Sequence, residues 1–472
     1  MPSKIALRLA VALLAVLACA PIVCAQDAPA ASSGQPSPTD ASDTSGDSAV
    51  TLFPHSETSR IWASGQANII LQWHPAFHAA YSGPNSFRSP GENDTSKVYT
   101  LYTGFALTHT TEIFVDAESA GGHGLSEALG LAGFTNLDVV RNPALGATPY
   151  LARLELRQII PLSSDRVEAE RGPFGLATSL PARRIEIRVG KFGLVDFFDA
   201  NTGGSDSHLQ FLNWTVDNNG AYDYAANTRG YTDAAIVEFD ARSWSFRFAE
   251  AMMPKVANGI HLDADLFRAH AENYEAEWRE NILAGRSGVI RLLGYENHAD
   301  MGNYREAIDA FLAGQGSRPD IIATRRQGRV KYGFGLSLEQ DLTKEFGLFA
   351  RLGWSDGRNE SFAYTEVDRT VEIGSYFHGD RWHRKNDHAG AVFTMNGLVS
   401  DHARYLALGG LGFLLGDGAL TYGHEKIFEG YYTAHAWRGI FASFDLQHIN
   451  NPGYNKDRGP VAVPGVRLHV DF

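Results

Sequence analysis

The residues best suited to chemistry are charged side chains that recur at alternate positions in three segments of the chain. They are Glu112 and Asp116, then Arg153, Glu155 and Arg157, then Arg184, Glu186 and Arg188. Guanidinium and carboxylate groups together offer planar, multi-point donors and acceptors, which is what the hydroxyl groups of a sugar need. The pattern therefore predicts a surface that binds a polyhydroxylated solute. The alternative is that arginines and carboxylates of neighbouring strands pair and only hold a wall together.

Paired carboxylates also raise the possibility of glycoside hydrolysis. Glu112 with Asp116, or Glu425 with Glu429, would supply the acid and the base. Residues four apart on a strand are about 13 Å apart, which is too far to share one glycosidic bond. We therefore predict that the chain has no catalytic residues and is not an enzyme.

Three histidines at five-residue spacing form the other candidate cluster. His378, His383 and His388 lie near Asp380 and Asp387. This spacing matches no tight ligand pattern for a metal, so a solvated polar loop is the better interpretation. The prediction is that the chain binds no metal and needs no cofactor.

The charged positions must be held by strands, because strands place successive side chains on opposite faces. Arg153, Glu155 and Arg157 alternate with Leu154 and Leu156. The last segment of the chain repeats the pattern, with Val466, Leu468, Val470 and Phe472 on one face and Arg467, His469 and Asp471 on the other. Many repetitions of an apolar face opposite a charged face indicate a wall with lipid outside and water inside.

The fold class that follows is all-β, a transmembrane antiparallel barrel of about sixteen strands. Beyond the N-terminus no apolar run approaches the roughly 20 residues of a membrane helix. We expect short turns to face the periplasm. Long loops, such as Gly121–Gly146 and Asn201–Ala226, should face outward or fold into the lumen.

The N-terminus divides into two segments that precede the barrel. Residues 1–25 are predicted to be a signal peptide, with Lys4 and Arg8 before an apolar core and cleavage after Ala25. Residues 26–58 are predicted to be a disordered linker, because Ala, Ser, Pro, Asp and Gly dominate them. The barrel then comprises residues 59–472. Both cysteines lie in the signal, and the formal net charge of −13 disfavours nucleic acid as a partner.

From Gly65 to its end, the chain resembles the carbohydrate-selective porin family of the OprB type. The segments that carry the resemblance are Gly65–Asn68, Tyr81–Phe87, Gly190–Phe192, Asp196–Asn201, Phe211–Trp214, Tyr222–Ala226, Gly347–Gly357, Tyr431-Tyr432, Asn451–Asn455 and Asp457–Pro460. The resemblance implies a single-chain barrel in the outer membrane of a Gram-negative envelope, where it passes mono- or small oligosaccharides by facilitated diffusion. It also implies that Phe472 is the assembly signal.

The expected partners are carbohydrate solutes, outer-membrane lipid and the barrel-assembly machinery, which would act through Phe472. The eight charged residues then become candidate pore-lining, substrate-binding residues. A monomer and a trimer both remain open. Two alternatives also remain: a general or polysaccharide-export barrel, and a secreted carbohydrate-active enzyme or binding protein.

Overall fold

The computed structural model describes residues 50–139, 142, 145–283 and 285–472. The predicted signal peptide, residues 1–25, lies outside the described residues, as does the predicted linker up to residue 49. Four residues of the predicted loop Gly121–Gly146 also lie outside them.

Sixteen strands of the described residues close into one antiparallel barrel. They are β1 (Ile61–His74), β2 (Glu92–Ala106), β3 (Thr111–Gly122), β4 (Tyr150–Pro161), β7 (Arg184–Phe192), β8 (Thr232–Asp240), β9 (Trp244–Met252), β10 (His270–Leu283), β11 (Arg286–Met301), β12 (Arg326–Asp341), β13 (Phe346–Ser355), β14 (Arg369–His378), β15 (His388–Gly397), β16 (Glu425–Trp437), β17 (Ile440–Asn450) and β18 (Val461–Asp471). A separate two-stranded hairpin consists of β5 (Arg166–Glu168) and β6 (Ser179–Pro181). The predicted fold class and strand number are confirmed.

The two faces of the wall differ in polarity as the alternation predicts. Outward side chains are large and apolar, and Phe334 and Ile373 are 60% and 61% exposed. Inward side chains are buried and include most of the charged groups of the wall, such as the fully buried Arg351, with aromatic residues such as Phe114 and Phe349 among them. Because a bilayer solvates apolar side chains and leaves backbone groups unsatisfied, a closed barrel with this polarity suits a membrane.

Exposed aromatic residues mark both ends of the outer face. Trp73 and Tyr332 lie near one rim, and Trp244, Trp278 and Trp437 lie near the other. Aromatic rings in two such bands are typical of the two lipid–water interfaces.

The chain closes on Phe472, which pairs with β1. The Phe472 N–H donates to the Gly65 carbonyl (2.9 Å), and the Gly65 N–H donates to the Phe472 carbonyl (2.6 Å). A Cβ atom at position 65 would lie 2.7 Å from the Phe472 ring, so only glycine lets the ring cover this part of the seam.

The two rims carry connections of different length. At the loop rim, eight long connections follow the strands that end there, including residues 123–149 and 193–231; both predicted long loops are therefore at the same rim. At the turn rim the connections are short, except for residues 162–183, which contain β5 and β6 and are called the rim hairpin below. Which rim faces the periplasm stays a prediction.

Three short α-helices lie in the described loops of the loop rim: α1 (Trp214–Asp217), α2 (Tyr304–Leu312) and α3 (Ser400–Ala407). Helices α2 and α3 pack together, with the His402 ring stacked on Tyr304 at 4.1 Å and its Nδ1 3.0 Å from Asp368 Oδ2. Among the described residues, no helix is both long enough and apolar enough to cross a bilayer.

Candidate pore constriction

Residues 193–231, called the inner loop below, fold into the lumen instead of extending from the rim. Asn213 begins α1 and accepts a hydrogen bond from the Thr215 N–H, which satisfies one of the free donors of the first turn. The adjacent Trp214 stacks on Tyr364 at 5.6 Å, and its indole N–H donates to the Asn136 carbonyl at 2.8 Å. The loop is therefore fixed to its neighbours on both sides.

Polar side chains of the wall hold the inner loop on one side of the barrel. Glu275 of β10 and Glu339 of β12 accept the N–H groups of Asp199 (2.7 Å) and Thr202 (3.0 Å). The connections continue around the wall: Arg351 of β13 donates to the Val216 carbonyl, Glu429 of β16 accepts from Leu212, Gln447 of β17 accepts from Asn213, and Arg467 of β18 donates to the Ser207 carbonyl. The loop thus lies against β10–β18, and the space that remains is beside β1–β4.

A cavity of about 610 Å³ occupies that space and is called the upper cavity. Its wall side includes Gln66, Tyr102, Asp116 and Tyr150, from β1, β2, β3 and β4 respectively. Its other side is the inner loop, from Gly193 to Tyr231, with parts of neighbouring loops.

A second cavity of about 590 Å³ lies at the turn rim and is called the lower cavity. The rim hairpin forms one side of it, while Trp62, Arg157 and Phe472 line it from the barrel. Tyr102 and Phe174 line both cavities. Both spaces are therefore bounded by this aromatic pair, which we call the neck.

The eight charged residues predicted from the sequence form one connected set of ion pairs. On β3 and β4, Arg153 contacts Asp116 (2.9 Å) and Glu155 (2.6 Å), while Arg157 contacts Glu112 (2.9 Å). Two contacts join β4 to β7, those of Arg157 with Glu186 (2.7 Å) and of Glu155 with Arg188. Two more lie within β7, where Glu186 contacts Arg184 (2.6 Å) and Arg188 (3.5 Å).

This set continues around half of the barrel and is called the ion-pair belt. Arg184 contacts Asp240 of β8, which also contacts Arg279 of β10 at 2.6 Å. The belt then runs through Glu277 of β10 and Arg291 of β11 to Glu339 of β12. Arg247 of β9 joins it through Glu277 at 3.4 Å and also contacts Glu275 at 2.8 Å. Because nearly every charge in it is buried, each one depends on its partners for compensation.

The predicted residues differ in their access to the cavities. Asp116 and Arg153 line the upper cavity, and Arg157 lines the lower cavity. Glu112, Glu155, Arg184, Glu186 and Arg188 all lie within the described chain and line neither space. A role of the eight in binding substrate stays a prediction.

The residues of the rejected alternatives have other partners. Glu425 accepts the Gly453 N–H at 2.7 Å, and Glu429 accepts the Leu212 N–H at 2.5 Å, so both fix loops to the wall. His378 and His388 face each other across β14 and β15. In the described part of the chain, no group of three or more His, Cys, Asp or Glu side chains is arranged to hold a metal ion.

Sequence reasoning missed the groups that other segments bring to the cavities. Asp196 of the inner loop contacts Arg153 at 2.7 Å, and Phe174 of the rim hairpin lies over the same guanidinium group at 4.6 Å. The length of residues 162–183 between two predicted strands was the available signal for the hairpin. For Asn201–Ala226 the sequence predicted either an outward course or one into the lumen, and nothing in the local sequence chose between them.

Comparisons with known proteins agree with this architecture. The structure of Pseudomonas putida OprB at high pH is 15% identical and has a TM-score of 0.66, with 87% of this chain and 94% of that chain covered. Its low-pH structure (12% identical, 87% and 92% covered) has a TM-score of 0.46, and the Acinetobacter baumannii outer membrane channel DcaP (8% identical, 87% and 97% covered) one of 0.45. At these identities the likeness shows the fold alone, and only the first supports it. A search of curated proteins found no match.

The family model for carbohydrate-selective porins, OprB family, matches residues 91–472, which is well over half of the chain. The family and the barrel fold are those of channels, not of enzymes. This chain therefore belongs to the carbohydrate-selective porins of the OprB family and is a carbohydrate porin of the Gram-negative outer membrane.

Proposed function

We propose that the chain passes neutral mono- and small oligosaccharides by facilitated diffusion along one side of the barrel. The solute would enter the upper cavity between β1–β4 and the inner loop, pass Tyr102 and Phe174, and leave through the lower cavity. The observation that carries this proposal is that the two cavities share these two residues. A pyranose has an apolar face that can stack on such rings and hydroxyl groups that can pair with Asp116 and Arg153.

The eight charged residues divide into two roles in this proposal. Asp116, Arg153 and Arg157 touch the passage. Glu112, Glu155, Arg184, Glu186 and Arg188 hold those three in place through the belt. We further propose that the chain performs no catalysis, because Glu112 and Asp116 each serve as acceptors for an arginine.

The test is sugar flux into liposomes that contain the purified protein. Glucose should enter faster than an uncharged solute of equal size, and its rate should saturate with concentration. Binding must stay weak for flux, so half-saturation should fall in the millimolar range, which corresponds to a binding free energy of about −4 kcal/mol. Equal, unsaturated rates for both solutes would instead identify a general pore.

We propose that the loop rim faces outward and the turn rim faces the periplasm. The support is the difference in connection length, which is typical of outer-membrane barrels. Protease added to intact cells should cut the exposed loops of the loop rim. Cleavage only from the periplasmic side would reverse the orientation.

We also propose that the barrel-assembly machinery recognises Phe472. Phe472 is 37% exposed at the seam between β1 and β18. Its deletion should leave protein in the periplasm while secretion across the inner membrane stays normal. Normal outer-membrane levels of the deletion variant would count against this role.

A further inference from the structure

The rim hairpin ends in a tight turn, and residues 172–176 are called the hairpin tip below. The Gly172 N–H donates to the Gly175 carbonyl at 2.8 Å, and the Gly175 N–H donates to the Gly172 carbonyl at 3.3 Å. Pro173 stands at the second position of this turn, where its fixed φ is favoured. Phe174 follows at the third position and lines both cavities. The hairpin tip therefore lies on the proposed sugar path.

Two residues of the hairpin tip, Phe174 and Gly175, cover three arginines of the ion-pair belt. The Phe174 ring lies over the guanidinium group of Arg153 at 4.6 Å, and the Phe174 carbonyl accepts from Arg188 Nη2 at 3.2 Å. The Gly175 backbone lies against Arg157, since a Cβ atom at position 175 would be 2.7 Å from Arg157 Nη1. Arg153, Arg157 and Arg188 are 4%, 5% and 8% exposed. The tip therefore helps to separate these cations from the water of the passage.

The next residue, Leu176, attaches the hairpin tip to the wall. Its side chain is 3% exposed and packs with Trp62 of β1 and Phe114 of β3. Its N–H donates to Glu112 Oε1 at 3.1 Å. The guanidinium group of Arg171 lies over the same Trp62 ring at 5.5 Å. Apolar packing and polar contacts therefore hold the tip against the belt together.

The hairpin tip hides positive groups of the belt, while acidic groups of the upper cavity stay accessible. The side chains of Asp196 and Asp206, which line this cavity, are 25% and 40% exposed, whereas that of Arg153 is 4% exposed. An anionic solute therefore meets accessible carboxylates in the upper cavity, and the guanidinium groups that could attract it lie behind the tip.

The groups that the hairpin tip covers carry more positive than negative charge. They are three guanidinium groups and the Glu112 carboxylate, which is three positive charges against one negative charge. Uncovered in a narrow lumen, these groups would attract anions, because low-dielectric walls concentrate their field. We propose that the rim hairpin is a selectivity element that covers the cationic part of the belt and so favours neutral sugars over anionic solutes. The inference rests on the proposed path through the two cavities.

The test removes the hairpin tip and leaves the barrel strands intact. The Ala182 N–H donates to the Asp165 carbonyl at 2.7 Å, so a short Asn-Gly turn can replace residues 166–181. These residues carry two arginines and two glutamates, so their removal does not change the net charge. The permeability of chloride relative to potassium, measured from the reversal potential in a KCl gradient, should rise severalfold because the guanidinium groups then face the passage. Entry of glucuronate into liposomes relative to glucose should rise in the same variant.

A second variant, Leu176→Asn, should detach the hairpin tip without removing it, because it places an amide group among apolar side chains. The relative chloride permeability should rise, but by less than in the excision variant. Leu162→Asn is the matched control, since Leu162 lies at the base of the rim hairpin and is 43% exposed. Its permeability ratio should equal that of the wild type. Heat-modifiable migration on a gel shows whether each variant is folded, and Leu176→Asn decides the test if the excision variant is not.

The outcomes separate this inference from the function on which it rests. Glucose flux that does not saturate in the wild type would overturn the proposed function, and the ion permeabilities would still decide the role of the hairpin. A wild-type permeability ratio in the folded hairpin variants would overturn that role alone. A rise in single-channel conductance at an unchanged permeability ratio would overturn it as well, because the hairpin would then only narrow the passage.

Discussion

Asp116 and Arg153 of the ion-pair belt line the upper cavity opposite the inner loop, but the two sides use their polar atoms in opposite ways. In the belt, Arg153 contacts Asp116, Glu155 and Asp196, so its donors are occupied before any solute arrives. On the inner loop, Asn218 and Thr228 are just as buried and yet leave an oxygen unpaired. The charge on this part of the wall is therefore paired within the protein before any solute arrives.

The difference has a physical basis in the two backbones. Neighbouring strands bring their inward side chains close together at a fixed spacing, so long charged groups find partners within the wall. A loop has no such regular neighbours on its cavity side. Substitutions in the belt should therefore change stability, and substitutions on the inner loop should change selectivity.

The largest effect is expected from removing a belt carboxylate. Glu155→Ala leaves Arg153 and Arg188 without a shared acceptor in a buried site, which should lower the free energy of unfolding by about 3–5 kcal/mol. Urea unfolding of the protein in detergent measures it. Glu127→Ala is the control, since the pair of Glu127 with Arg88 is half exposed and should contribute at most about 1 kcal/mol. An equal loss of unfolding free energy in both variants would mean that the buried ion pairs of the belt contribute no more to stability than an exposed pair does.

The next effect is expected where wall and inner loop are joined. Arg351→Ala removes hydrogen bonds to the Val216 carbonyl and to Ser205 Oγ, both at 2.6 Å, and leaves Glu372 buried without its cation. The loop should detach from β13, so that single-channel conductance rises severalfold and saturation of sugar flux is lost. Arg268→Ala changes an exposed arginine and should leave both properties unchanged. A conductance equal to that of the wild type would mean that the other hydrogen bonds between the wall and the inner loop are enough to hold the loop in place.

A pH effect on stability is expected from the loops of the loop rim. Burial lowers the pKa of His402, but the charge of Asp368 outweighs it and raises this pKa to about 9. An unfolded histidine has a pKa near 6.5, so this pair stabilises the protein fully below about pH 6.5 and its contribution disappears as the pH rises through about 9. The pair contributes at most about 3 kcal/mol to the free energy of unfolding, because a shift of one pKa unit corresponds to about 1.4 kcal/mol.

Unfolding free energies at pH 6 and pH 10 measure this contribution. His402→Gln should show a smaller loss of stability over that range than the wild type. His109→Gln replaces an exposed histidine at the turn rim and should keep the wild-type difference. The same pH dependence in His402→Gln as in the wild type would contradict the assignment.

The smallest effect is expected at the neck. Phe174 is 43% exposed and lies 4.6 Å over Arg153, a contact worth about 0.5–1 kcal/mol. Phe174→Ala should raise single-channel conductance by less than Arg351→Ala does, with little change in stability. Phe267→Ala, at the loop rim, should leave conductance unchanged. An unchanged conductance in Phe174→Ala would mean that the passage does not run between the two cavities.

The strands and the direction of their side chains could be predicted from the sequence, whereas the course of the loop inside the lumen could not. The alternation around Arg153–Arg157 and at Val466–Phe472 predicts both the strands and the side that faces lipid, because side-chain direction on a strand depends only on position. The pairing of Arg188 with Glu155 depends on which strands are neighbours, which the alternation does not specify. Asn218 and Thr228 carry no periodic signal, and their place beside the upper cavity depends on a loop that folds inward through contacts with six distant strands.

The ion-pair belt also constrains which substitutions this porin can accept during evolution. Replacing an arginine that pairs with two or three carboxylates leaves those carboxylates buried and unpaired. We therefore expect belt positions to covary among relatives, with Glu155 changing together with Arg153 or Arg188. The side-chain oxygens of Asn218 and Thr228 have no partner that a substitution would leave unpaired. These two positions can therefore change one at a time, on a scaffold that stays the same.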